Sequence, residues 1–256
     1  IAAVDCPPLL NVHALASASQ CHSCGRCSGH RDAVALTLRW PGSEIVGSKP
    51  GDVGRYEALL LFYGMLGFAL GAFQWTMASG FVQGKQVLAT WLVDHEVFWP
   101  LASNAPWWVM THYPQVSDVF SWLDGAGIVA WLTGTAVLVG GFAHLAVALG
   151  ARVARADWKV LSLNLVPMAA ANLFLGLSML TLTQLRTEGI VFHWLPQARL
   201  TLLAVAWLGC LALCVGQLRR AEVPIWRSAM AMALVAAAAA VPVLLWVRTL
   251  DLLAVF

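Results

Sequence analysis

Five stretches of the chain stay apolar long enough to cross a membrane. They cover about 57–80, 124–149, 159–184, 200–218 and 225–248. A bilayer core of roughly 30 Å takes about 20 residues of helix, so each stretch predicts one spanning helix. Polar residues inside the runs are few. Asn164, Asn172 and Gln184 fall in the third, where polar side chains are expected to hydrogen-bond to neighbouring helices. Pro167 and Pro242 predict local kinks. Gly67 and Gly71 form a GxxxG in the first run, with Gly64 on a nearby face. That spacing predicts a close helix approach, to a helix of this bundle in preference to a partner's.

The pattern is different before and between these runs. Residues 1–55 are polar, with turn signals at Pro7–Pro8, Pro41–Gly42 and Pro50–Gly51 and one alternating stretch from Ala33 to Trp40. A segment this short cannot bury a core of its own. A bound metal or packing against the membrane part must hold it. Residues 85–123 contain Trp91, Trp99, Trp107, Trp108, Tyr113 and Trp122, interrupted by Pro100, Pro106 and Pro114. Such a stretch does not span; it predicts amphipathic helices and loops lying along one membrane face. Residues 186–198, with His193, Trp194 and Pro196, are a smaller version. The expected fold is an all-α integral membrane protein. A short cysteine segment, 1–55, precedes a five-helix membrane domain, 56–256, whose Trp-rich outer loop covers 85–123.

Composition settles the class. The chain is 60% hydrophobic and only 11% charged, whereas a soluble domain is about a quarter charged. Its net charge of +2 is too small to argue for a nucleic-acid partner; the bilayer is the first partner. Of the 15 Lys and Arg residues, eleven fall before the first run, between the second and third, or between the fourth and fifth. Four fall on the other side: Lys85, Arg186, Arg199 and Arg248. By the positive-inside rule the cysteine segment is cytoplasmic. The Trp-rich loop then faces the periplasm of a bacterium, with the chain multi-pass in the cytoplasmic membrane. The chain begins at Ile1 without the basic start and apolar run of a signal peptide, and the expectation is that Ile1 is not the native start.

Four of the six cysteines crowd into the first 27 residues: Cys6, Cys21, Cys24 and Cys27. The run Cys21-His-Ser-Cys24-Gly-Arg-Cys27 places three thiolates around one small loop, and Gly25 and Gly29 permit the tight backbone it needs. Zinc sites more often pair two separated Cys-x2-Cys units or use histidine; a zinc version here would draw on His13, His22 or His30. Three cysteines at this spacing are the ferredoxin pattern. Bacterial ferredoxins continue with a fourth cysteine and a proline, where this chain has Arg31 and Asp32. One 4Fe–4S cluster is therefore expected, with Cys6, followed by Pro7, as the candidate fourth ligand.

With Cys6-Pro7 ahead of Cys21-x2-Cys24-x2-Cys27, and a membrane bundle following, the chain resembles the membrane-bound polyferredoxins. These include quinol-dehydrogenase subunits of periplasmic nitrate reduction, the nitrous oxide reductase regulator and the ferredoxin-like factor of cytochrome oxidase assembly. The resemblance covers mainly residues 6–32. It implies an iron–sulfur electron-transfer protein of a respiratory chain, relaying electrons between a quinone or a partner redox subunit and a respiratory complex. That is a redox subunit more than a self-sufficient enzyme. Two other readings stand beside it: an assembly factor for a respiratory metalloenzyme, and an accessory anchor subunit of a larger membrane complex.

Other residues carry candidate chemistry. Asp94, His95 and Glu96 in the Trp-rich loop, with His112 further on and His193 in the second outer loop, are either ordinary polar residues of an interfacial loop or candidates to contact a quinol or hold a metal. His144 is the sole histidine inside a predicted span, and an intramembrane histidine invites a functional reading. A bis-histidine haem needs a second one, so haem is not expected from this chain alone. His144 is then a packing histidine or a ligand shared with a partner subunit. Cys210 and Cys214, four apart in an apolar run, read as small buried hydrophobes. No CxxCH occurs, so no covalent haem is expected.

Overall fold

The structure is a computed structural model that describes residues 21, 24–27, 40–113, 115 and 118–252. The chain divides into two units, Ile1–Gly47 and Ser48–Phe256. In the first, a turn at Arg26–Cys27 and a short helix, Ser43–Gly47, are described.

The second unit is an all-α bundle. Among the described residues five helices are long and apolar enough to cross a membrane: Arg55–Gln74, Trp122–Ala154, Trp158–Thr187, Leu195–Arg220 and Ile225–Thr249. They correspond one to one with the five apolar runs, and the protein is multi-pass. The first span differs most from expectation, ending at Gln74 and not near 80. Met77 and Ala78 both donate their N–H to Gln74 O, which turns the chain. Trp75 then packs edge-on against Phe81, at 5.5 Å between ring centroids, and Phe81 against Trp131 at 5.8 Å. This aromatic cluster seals the corner, and a separate helix, Ser79–Asp94, starts there.

That helix opens the Trp-rich connection. It is tied to the second span by Lys85 Nζ donating to Asp124 Oδ1 at 2.8 Å. A 3-10 turn at Trp99–Leu101 and a two-residue antiparallel ladder, His112–Tyr113 with Asp118–Val119, complete the connection. Trp91, Trp99, Trp107, Trp108 and Tyr113 are all exposed, as an aromatic belt at a membrane surface requires. Ser121 caps the second span, its Oγ accepting from Asp124 N–H while Asp124 Oδ2 accepts from Ser121 N–H at 2.9 Å.

Spans one and two meet backbone to backbone. Residues Leu60–Phe68 and Ala136–Gly140 are wound as π-helix, and Ala69 N–H reaches back five residues to Gly64 O. A Cβ on Gly67 would lie 2.7 Å from Ala136 Cα, and one on Gly140 would lie 2.7 Å from Phe62 O. Gly71 faces Thr135 and Leu132 in the same way. The GxxxG therefore serves packing within this chain. Pro167 follows a 3-10 turn at Leu163–Leu165, so the expected kink is a local tightening ahead of the proline. Pro242 lies buried inside the fifth span.

Buried amides join the bundle across its apolar core. Asn172 Nδ2 donates to Met65 O at 2.7 Å, and Asn172 Oδ1 accepts from Trp246 Nε1 at 2.8 Å, linking spans one, three and five. Asn164 Nδ2 donates to Gln217 Oε1 at 2.9 Å, and Gln217 Nε2 donates to Val160 O at 3.3 Å, linking spans three and four. Gln184 is exposed and makes no such cross-link. Phe62, Leu66, Met168, Leu203, Val235 and Trp246 fill the centre between these bonds.

Candidate functional site

Three places carry candidate chemistry. At the cysteine run, Gly25 has φ +77°, a left-handed conformation that glycine adopts without strain. It turns the chain between Cys24, which is exposed, and Cys27, which is half-buried; Cys21 is also half-buried. Cys24 and Cys27 carry free thiols. Cys6, the candidate fourth ligand, lies outside the described residues, as do His13, His22 and His30. Among the described residues no group of three or more His, Cys, Asp or Glu is arranged to hold a metal ion.

The candidate residues of the Trp-rich connection and of the loop at 186–198 are placed separately. His95 ends the helix Ser79–Asp94, its ring stacked on Trp91 at 4.2 Å and its Nδ1 2.8 Å from Trp91 O. Glu96 follows it, exposed and with φ +59°. The backbone of His112 lies in the short ladder. His193 borders a cavity of about 370 Å³ with Phe192, Arg186 and Arg199. None of that lining comes from 94–96.

The best-built site surrounds His144. Its ring stacks on Phe62, with centroids 5.1 Å apart and planes at 14°, and lies 4.9 Å from the Trp158 ring. Tyr63 meets it edge-on, Tyr63 Oη being 3.3 Å from His144 Nδ1, within hydrogen-bond reach. The two π-wound stretches lie next to this contact, bringing the first span to the second so closely that Tyr63 reaches the imidazole.

No protein-family model, curated protein or solved structure matches the chain.

The His144 ring forms one wall of a cavity of about 610 Å³. Ala148, Arg152 and Arg155 continue that wall along the second span and past its end. Spacings of four residues keep His144, Ala148 and Arg152 on one helix face, and Arg155 follows at the helix end with φ +57°. Arg55 closes the cavity from the start of the first span, and Trp158 and Lys159 from the start of the third. Among the described residues no carboxylate is in the lining.

Sequence reading used Arg55, Arg152, Arg155 and Lys159 only as orientation signals and did not join them to His144. The signal was there in part. The 144–148–152 periodicity puts a histidine and an arginine on one stripe, and Arg155 follows where the helix ends. The contributions of Tyr63 and Phe62 depend on the π winding, which no residue pattern announces.

Proposed function

We propose that this protein is a membrane-anchored iron–sulfur electron-transfer subunit. In this reading Cys6, Cys21, Cys24 and Cys27 hold one 4Fe–4S cluster on the cytoplasmic side of a bacterial inner membrane. The observation that carries it is the Cys21-x2-Cys24-x2-Cys27 run with its turn built on Gly25 at φ +77°. Three soft thiolate donors on one tight loop suit an iron–sulfur cluster. A thiolate loop of this kind takes its final shape around its metal.

Such a cluster supplies one-electron transfer. The residues of the chain hold it beside the membrane and keep it in reach of a quinone or a partner redox subunit. A bilayer core is roughly 30 Å thick, so one cluster at one face exchanges electrons at that face. The five spans anchor it, and the exposed Trp-rich surface is available for a partner subunit.

Anaerobic reconstitution tests the reading. About four irons per chain, with a broad visible band that bleaches on adding quinol to the reconstituted membranes, is the expected result. Cys6→Ser, Cys21→Ser, Cys24→Ser and Cys27→Ser should each abolish the band, whereas Cys210→Ser should leave it intact. A wild-type chain that takes up zinc and no iron, or a Cys6→Ser chain with an unchanged cluster, would overturn the ligand set.

A further inference from the structure

The cavity beside His144 has features that the electron-transfer reading does not use. Its cations come from three separate places in the chain: Arg55 before the first span, Arg152 and Arg155 at the end of the second, and Lys159 in the third. Lys159 has a partner in Asp157 at 3.4 Å. Arg55, Arg152 and Arg155 have no carboxylate partner among the described residues. Three arginines around one cavity, with no carboxylate partner among the described residues, repel one another unless an anion sits among them.

The cavity also opens beside lipid-facing surface. On the second span Leu138, Phe142, Leu145 and Leu149 are exposed large hydrophobics, spaced four, three and four residues apart. That stripe runs next to the stripe of His144, Ala148 and Arg152 that lines the cavity. An occupant could place a charged group among the arginines while apolar chains follow the leucines. Basic pockets between membrane helices hold anionic lipid headgroups in this manner.

We propose that this cavity is a binding site for the phosphate headgroup of an anionic phospholipid. Arg55, Arg152 and Arg155 contact phosphate oxygens, and arginine's planar fork suits them better than a lysine would. Lys159 adds a point charge. The Trp158 ring flanks the glycerol region at the level where indoles collect. His144, held by Phe62 and Tyr63, forms the inner wall. The cluster plays no part in this proposal, so the two readings stand or fall separately.

The test is native mass spectrometry of the full chain released from detergent micelles. The probes are cardiolipin, phosphatidylglycerol and phosphatidylcholine, with inorganic pyrophosphate as a soluble competitor. The wild type should retain cardiolipin and phosphatidylglycerol in preference to phosphatidylcholine, and pyrophosphate should not displace them. Each membrane-surface cation is worth roughly fivefold in affinity. The triple variant R55Q/R152Q/R155Q should therefore lose retention by at least about tenfold. A second triple variant, R219Q/R220Q/R227Q, removes equal charge from the connection between spans four and five and should change nothing. Ala156→Trp fills the exposed rim of the cavity without altering charge, and it should also lower retention. Equal retention of phosphatidylcholine would overturn the proposal. So would an equal loss in both triple variants, full retention in Ala156→Trp, or displacement by pyrophosphate.

Discussion

Trp246 Nε1 donates to Asn172 Oδ1 at 2.8 Å, and both side chains are fully buried. The same amide gives its Nδ2 to Met65 O, a carbonyl of the π-wound first span. One side chain thus serves the indole of the fifth span and the backbone of the first. Asn172→Leu removes both bonds and strands the indole N–H. Interhelical hydrogen bonds in membranes are worth about 0.6–2 kcal/mol each. We expect a loss of about 2 kcal/mol, or roughly 5 °C in Tm, measured by circular dichroism in detergent. An unchanged melt would show that the bridge contributes nothing.

Gly140 tests the glycine seam where backbone meets backbone. Its added Cβ would lie 2.7 Å from Phe62 O and 2.9 Å from Tyr63 Cα, both backbone atoms with little freedom to yield. Gly140→Val should cost about 1–3 kcal/mol by overpacking. Gly141, one residue on, has open space where its Cβ would stand. Gly141→Ala should be neutral or slightly stabilising, because alanine loses less backbone entropy in a helix. Similar melting temperatures for the two variants would contradict the seam.

Asp124 serves two partners and Lys85 one. The Asp124 carboxylate caps Ser121 N–H at 2.9 Å and receives Lys85 Nζ at 2.8 Å. The ion pair is partly exposed, 39% at Lys85 and 20% at Asp124, so solvent screens it. Lys85→Ala should therefore cost no more than about 0.5 kcal/mol. Asp124→Ala also removes half of a capping box and should cost about 1–2 kcal/mol. Thermal melts of the two variants and of the double variant check this ordering.

The thiols offer a test of orientation. Cys24 is exposed, whereas Cys210 and Cys214 are fully buried in the fourth span. In a chain whose Cys6, Cys21 and Cys27 are serines, a membrane-impermeant maleimide should label Cys24 in inverted vesicles and not in intact cells. Cys210 and Cys214 should stay unlabelled until the protein is denatured. Labelling of Cys24 from the outside would reverse the assignment of faces.

The five spans were legible because apolar length alone decides them, and length is a property of the sequence. Their polar cross-links were half legible. Asn164 and Asn172 were expected to bond across helices and do, whereas Gln184 sits exposed. Depth in the bundle separates them, and depth depends on which face of the helix points inward. The end of the first span was misjudged because residues 75–80 are apolar enough to continue a helix; an aromatic corner of Trp75, Phe81 and Trp131 stops it. The His144 cavity was not legible as a whole. Its members lie up to about a hundred residues apart and meet through two stretches of π winding. The spacing of the cysteine run suggests its chemistry, and Cys6, the candidate fourth ligand, lies outside the described residues.

The winding at Ala136–Gly140 has a further consequence. An α-helix turns by about 100° per residue, and a π turn takes in one residue more than an α turn. Everything beyond Gly140 is therefore rotated by about that angle from where an unbroken α-helix would carry it. The second span is in effect two helices spliced out of phase. Its first half is keyed to Asp124 and the corner aromatics, and its second half to Tyr63 and the arginine-lined end. Removing a single residue at the splice would bring the halves back into phase and swing His144 and Arg152 away from the first span, while leaving a span still long and greasy enough to be recognised.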